Sequence, residues 1–421
     1  MFYKNGKIIP SNFLIFSLLI FSVICVSIQG KLASVYAQTT LFPQQTSSQT
    51  QTKHQQVLQY DKEKNCATDQ HTPTTYITYL THFSCGHVTV FNNGTVLRKF
   101  ILLVDDFNGS GKPYPITTNQ MDPMFTGTYH YVANHTKYQP VIFHAWTFNG
   151  TIPGPTIRVT QGDHVQVTVI NSKDSKFPHS WHVHSIHSGI NDGTMTASGM
   201  IFPGSNYTYD FVATPAGLYP YHCHMTPVEE HVSRGLYGMM IIDPPHPRPA
   251  AKEMVMMLNE YTFSYMGADG KGHLNQTVPA TESQILHNLT AVEEAADEGN
   301  GPDNQFYTVN GMVFGYTGPH EIQLKTGVDY RIYLVNMVEF DPLNNFHLHG
   351  AMFTYTPSCT MSSSIKYTDI VSLMQGDRGC VDVHFLEPGM FMFHSHLNHF
   401  TDLGWLGVFN VTGRAITTRA S

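Results

Sequence analysis

Apolar residues recur along this chain in short bursts with a period close to two, the mark of half-buried strands. Such runs lie at Lys99-Phe-Ile-Leu-Leu-Val104, Val141-Ile-Phe-His-Ala-Trp146 and Val165-Gln-Val-Thr-Val-Ile170. Turn-forming Asn149-Gly150 and Pro153-Gly154-Pro155 separate them. A first body closes with Gly238-Met-Met-Ile-Ile-Asp243, and Pro244, Pro245, Pro247 and Pro249 then read as a stiff linker. The second body starts near Glu253 and repeats the plan of the first. Phe148-Asn-Gly-Thr-Ile-Pro-Gly154 returns as Val309-Asn-Gly-Met-Val-Phe-Gly315, and Gly162-Asp-His-Val-Gln-Val-Thr-Val-Ile-Asn171 as Gly327-Val-Asp-Tyr-Arg-Ile-Tyr-Leu-Val-Asn336. Order and spacing agree in both halves, so the chain reads as an all-β protein built by internal duplication of a β-sandwich.

Composition narrows the chemistry. Apolar residues make up 41% of the 421 positions, too many for a disordered chain, and charged residues only 13%. A net charge of −8 suits no nucleic-acid backbone. The 25 histidines outnumber the 23 lysines and arginines together, which directs attention to transition metals.

Lys4 and Lys7 precede an apolar run from Phe13 to Ile28, and Val35-Tyr36-Ala37 offers a small-residue cleavage site. Residues 1–37 are therefore predicted to be a signal peptide for export, to a secreted or cell-surface location. The run is long for a cleaved signal, and an uncleaved anchor is the alternative; membrane contact is expected only in that case. Residues 38–60, with the polar stretch from Gln44 to Gln56, are expected to form a flexible linker. The first sandwich then covers 61–248 and the second 249–421, interrupted by an acidic surface loop from Glu293 to Asp303. Cys25 lies in the signal and Cys223 between two histidines. Cys66, Cys85, Cys359 and Cys380 remain, an even number in an oxidising compartment; bridges 66–85 and 359–380 are the simplest of the possible pairings.

Chance alone supplies about one or two His-x-His patterns at this histidine content. Here there are four, at 182/184, 222/224, 347/349 and 394/396, and they fall at matching places in the two repeats. On a strand, residues i and i+2 share a face, so each pair is a two-imidazole pincer. In His222-Cys223-His224 the thiol points to the opposite face, so one strand touches two metal sites. A lone Cys among imidazoles argues against structural zinc and for a trigonal His₂Cys blue-copper site. His179 and His231 are available to complete it.

These motifs resemble those of two-domain, laccase-like multicopper oxidases, made of two cupredoxin domains with a single type 1 copper in the first. The resemblance runs from about Phe100 to Val411 and rests on His179-x-x-His182-x-His184, His222-Cys-His224 with His231, His347-Leu-His349-Gly350 and His394-Ser-His396. By position it implies that His179, Cys223 and His231 hold the type 1 copper, and His182 and His347 the type 2 copper. His184, His222, His224, His349, His394 and His396 would hold the type 3 pair, giving four copper ions per functional unit. Ser395 stands where a second type 1 site would need Cys. The resemblance further implies O₂ as acceptor, a small electron donor, and electron uptake at the exposed imidazole edge of His179 or His231. From there electrons would pass through Cys223 to His222 and His224. It also implies a homotrimer, in which the first domain of one subunit faces the second domain of the next.

One departure stands out. The family's axial methionine belongs to a Gly-Met-x-Gly run, and here that run is Gly235-Leu236-Tyr237-Gly238. Leucine cannot coordinate, which predicts a three-coordinate, high-potential type 1 site unless Met239 or Met240 substitutes by a register shift. Rival readings are a copper nitrite reductase-like enzyme, which lacks a counterpart of His224 and does not need His394 and His396 together, and a copper electron-transfer protein without turnover. Glu229 and Glu230 could attract a cationic donor or be plain solvated charges. Asp192 reads as an acid for proton delivery, with a surface turn as the alternative. His187 reads as a strand-end imidazole, and the methionines, Met254, Met256 and Met257 among them, as core. The donor stays open among phenols, metal ions and a small nitrogen compound such as hydroxylamine.

Overall fold

The computed structural model describes residues 47–64, 66–67, 75–118, 142–194, 198–261, 264–266, 272–274, 306–341, 343–360 and 362–416. The expected signal peptide, with Cys25, and the acidic loop at 293–303 lie outside the described residues.

Two β-sandwiches follow one another. In the first, one sheet runs in the order Cys66–Ala67, Phe83–Ser84, Ile157–Thr160, Tyr237–Asp243, Gly217–His222 and His182–Val183. The facing sheet runs Asn206–Val212, His164–Asn171, Val96–Asp105 and His87–Val90. The period-two pattern decides which side chains meet between them. Val165, Val167 and Val169 point inward and are wholly buried, with Phe100, Leu102 and Val104 beside them. In the second sandwich one sheet runs Phe306–Val309, Lys252–Tyr261, Asp329–Asn336, Arg378–His384, Phe353–Pro357 and Lys366–Thr368. The other runs Ile322–Lys325, Leu406–Thr412, Gly389–His394, Leu343–Leu348 and Ile370–Met374. Phe346, Phe393, Trp405 and Phe409 fill the space between.

The duplication is visible in the fold. Gly238 lies under the Tyr221 ring and Gly407 under the Phe393 ring, each where a Cβ would overlap the aromatic side chain. A third core joins the domains: Leu218, Met239 and Ile241 from the first meet Val255, Met257, Tyr333 and Val335 from the second. Arg158 binds Asp243 at 2.7 Å and Glu253 at 2.9 Å, one carboxylate on each side of the proline-rich connection. Met254, Met256 and Met257 are buried, as the core reading expects. Disulfides join Cys66 to Cys85 and Cys359 to Cys380, the local pairing.

The linker expectation for 38–60 needs correction over its described part, because Ser47–Glu63 is a helix. The segment contains no Gly or Pro and is rich in Gln with Lys, Leu and Glu, all good helix formers. Its last turn is anchored: Asp61 is buried and takes a two-pronged ion pair from Arg98, both contacts at 2.9 Å.

Candidate metal centres

The strand Gly217–His222 runs antiparallel to Tyr237–Asp243, with His222 opposite Tyr237, so Cys223 leaves the sheet directly across from Leu236. The Cys223 amide donates to the Leu236 carbonyl at 2.9 Å, and the Leu236 amide to the His231 carbonyl at 3.1 Å. These bonds fold the short helix Val228–Ser233 back over the thiol. Cys223 Sγ comes to lie 3.1 Å from His231 Nδ1 and 3.8 Å from His179 Nδ1, and the two Nδ1 atoms are 3.2 Å apart. All three side chains are buried. Burial alone would push the Cys223 thiol up, but His231 and His179 together hold it well below the usual thiol range. A thiolate with two ring nitrogens converging on it is the donor set of a soft, one-electron metal centre.

Leu236 is wholly buried beside this group. Met239 and Met240 pair with Pro220 and Tyr219 further along the same hairpin, so the register shift that would offer a thioether is not present.

Two imidazole groups lie apart from this centre. In the first domain, His182 pairs with His222 across the sheet, and His184 Nε2 lies 3.2 Å from His222 Nε2. In the second, His347 pairs with His394, and His349 Nε2 lies 2.8 Å from His394 Nε2. The outer nitrogens are tied in the same way in both halves. His182 Nδ1 donates to the Asp192 carbonyl and His347 Nδ1 to the Asp369 carbonyl, each at 2.9 Å. His222 Nδ1 and His394 Nδ1 donate to the carbonyls of Cys223 at 2.8 Å and Ser395 at 2.6 Å. With Nδ1 of His182, His222, His347 and His394 carrying the proton, the Nε2 of each is free to bind a metal ion, and His184 and His349 bring a second Nε2 close to those of His222 and His394. Burial, then repulsion from neighbouring histidines, holds His184 down at about 4 and lowers His182, His349 and His394; His222 falls well below its ordinary value. Neutral imidazole is the ligating form. His224 and His396 stand beside these groups, 5.1 Å from the His182 ring and 5.2 Å from the His347 ring. Among the described residues, no cluster of close ligand atoms mixes the two halves of the chain.

Several sequence expectations change. His179 has no exposed edge and His231 keeps only a 2% exposed one, with Trp146 set edge-on to them at 5.8 and 5.0 Å. Glu230 is not a free solvated charge, because it is buried against Arg234 at 2.9 Å, whereas Glu229 is exposed. Asp192 sits beside the site rather than on a remote turn, its Oδ1 3.3 Å from His182 Nδ1 and 3.4 Å from His187 Nδ1. His187 Nε2 accepts from the Val183 amide, a structural role.

Residues 128–247 and 281–414 each match a multicopper oxidase family model. A solved structure described as a multicopper oxidase is 33% identical to this chain, with a TM-score of 0.63, over 81% of this chain and 98% of that one. The chain belongs to the multicopper oxidase family. Among curated members of the wider group, the copper-containing nitrite reductase of Neisseria meningitidis serogroup B is 28% identical over 52% of this chain and 50% of its own length. Multicopper oxidase MmcO of Mycobacterium tuberculosis is 29% identical over 58% and 48%. The chain thus spans about half the length of the first curated relatives it matches. Copper is the metal this family implies, and the residues fit it: a His₂Cys group with no thioether, and two sets of inward-facing Nε2 atoms.

Sequence reasoning missed two carboxylates in this multicopper oxidase. Asp106 accepts from His179 Nε2 at 3.2 Å, although the two lie 73 residues apart. Asp369 mirrors Asp192 at His347. The signal for Asp369 was the repeat itself; for Asp106 there was none.

Proposed function

We propose that this chain is a laccase-type oxidase that takes electrons singly from a small donor and passes them in fours to O₂, releasing water. Bound copper would supply one-electron transfer at the Cys223 group and oxygen reduction at the imidazole groups. On this reading His179, Cys223 and His231 hold the type 1 ion, and His182 and His347 the type 2 ion. His184, His222, His224, His349, His394 and His396 hold the type 3 pair.

The chain's own contribution is placement. Residues 222–224 present sulfur on one face and imidazoles on the other, so the two peptide links of Cys223 are the covalent path between centres. Burial keeps water from the thiolate, and the backbone carbonyls of Asp192, Asp369, Cys223 and Ser395 fix the histidine tautomers. Asp192 Oδ1, half-exposed beside His182, is placed to pass protons in from solvent. Because the two imidazole groups lie apart within one chain, the working unit is a homotrimer in which they meet across subunits. On this reading the N-terminal segment directs export, as a cleaved signal or as an uncleaved anchor.

The observation that carries this reading is the matched pair of triads, His182-His184-His222 and His347-His349-His394. A nitrite reductase-like activity is the second reading, favoured by the names of the curated relatives. Such an enzyme needs only three imidazoles at its catalytic ion, so it has no use for His224 or for His394 and His396 together. Copper analysis of the purified assembly with O₂ uptake across phenols, metal ions and hydroxylamine decides. About two ions per chain would overturn the oxidase reading, and a fully loaded protein with no O₂ uptake would point to an electron carrier.

A further inference from the structure

We infer that Asp106 is a positioning residue of the Cys223 centre, fixing the His179 ring and strengthening its nitrogen as a donor. This rests on the copper assignment above and adds to it a residue outside every motif.

Asp106 is wholly buried just past the end of the strand Val96–Asp105. Its Oδ1 accepts from the Gly109 amide at 2.9 Å and the Lys176 amide at 2.8 Å. Its Oδ2 accepts from the Lys176 and Phe177 amides, both at 2.8 Å, and from His179 Nε2 at 3.2 Å. Every one of these neighbours donates, so the arrangement is built around a carboxylate; a buried carboxylate is tolerated only with such a set of donors. The turn that aims the Gly109 amide runs through Phe107 and Asn108 at φ 54° and 60°, a conformation that costs free energy and is held here for that contact.

The geometry assigns the two nitrogens of His179 different tasks. Nε2 carries the proton and gives it to Asp106 in a hydrogen bond, and Nδ1 faces Cys223 and His231. A carboxylate behind an imidazole raises its basicity and favours the more highly charged state of the metal in front of it. Asp106 therefore lowers the reduction potential of the centre, against the direction set by the missing axial thioether. In the second domain the place of His179 is taken by Asn344, whose side chain donates to Asn336 at 3.4 Å instead.

The test compares the copper-loaded parent with Asp106→Asn, which keeps the shape, and Asp106→Glu, which keeps the charge. Redox titration of the blue absorption is expected to give a higher potential in Asp106→Asn, with partial return in Asp106→Glu. Copper affinity at this centre should fall about 10- to 100-fold in Asp106→Asn. A blue parent whose potential and affinity are unmoved in Asp106→Asn overturns the role, because a purely structural carboxylate would change only the melting temperature. A parent with no blue absorption overturns both this inference and the copper assignment. Should neither variant fold, ¹⁵N spectra of the copper(I) parent decide: a slowly exchanging proton on His179 Nε2 supports the inference, and a proton on Nδ1 sinks it.

Discussion

Cys223 and Ser395 occupy the same place in the two domains. The Cys223 amide donates to the Leu236 carbonyl and the Ser395 amide to the Trp405 carbonyl, across equivalent hairpins. The correspondence extends outward. Leu236 donates to the His231 carbonyl, and Trp405 to that of Phe400; the His224 amide meets Ser180 Oγ at 3.0 Å, and the His396 amide meets Asn345 Oδ1 at 2.5 Å. The second domain therefore carries a hydroxyl where the first has its thiol, and Phe400, in the place of His231, stacks on Tyr307 at 3.9 Å.

Restoring the thiol alone is thus insufficient. Ser395→Cys is expected to add neither a second blue absorption nor an extra copper ion, because Asn344, Phe400 and Trp405 offer no imidazole or thioether. Visible spectra and metal analysis of the loaded variant check this. A second blue centre would contradict the correspondence.

Leu236→Met should lower the potential of the Cys223 centre by placing a thioether beside it. The swap conserves volume in a tightly packed site, so the loss of stability should stay below about 1.5 kcal/mol. Redox titration and urea melts give the two numbers, and an unchanged or raised potential would remove Leu236 from the axial position.

At the seam between domains, Glu260 is wholly buried, accepting from Ser233 Oγ at 2.9 Å and the Glu339 amide at 3.0 Å. Burial, and then Glu339, push it up to about 8, and burial pushes Glu339 up to about 7. An unfolded glutamate releases its proton near 4.3. Between that pH and about 8 the folded chain holds protons that the unfolded chain has lost, so stability falls as pH rises, by up to about 1.4 kcal/mol per pH unit for each proton. Glu260→Gln should flatten this slope and stabilise the fold at alkaline pH. Urea melts from pH 5 to 9 measure it, and a steeper slope in the variant would refute the assignment.

The Cys359–Cys380 bridge closes a short loop, with a sequence separation of 21, against the first domain. Replacing both cysteines with serine should remove about 3 kcal/mol, most of it through the unfolded chain. Reversible denaturant melts under non-reducing conditions test this; a loss under about 1 kcal/mol would show that the surrounding contacts hold the loop unaided.

Histidine spacing and the internal repeat made the two sandwiches, the Cys223 group and both imidazole triads legible before any coordinates, because strand periodicity fixes which side chains share a face. What stayed hidden depended on folding in three dimensions. Asp106 meets His179 only through a turn and a second loop, and no spacing rule spans that gap. The helix Ser47–Glu63 looked like a tether because its composition is polar, and the Asp61–Arg98 pair that docks it joins distant segments. The burial of His179 and His231 depends on Trp146, which the pattern showed only as one more strand residue.

Arg158 grips a carboxylate at either end of the proline-rich connection, and the side chains beneath it form one continuous core. The connection is a splint and not a hinge. Relative swinging of the two halves would strip a buried guanidinium of its partners, so Arg158 and the shared core hold the two sandwiches together as one frame.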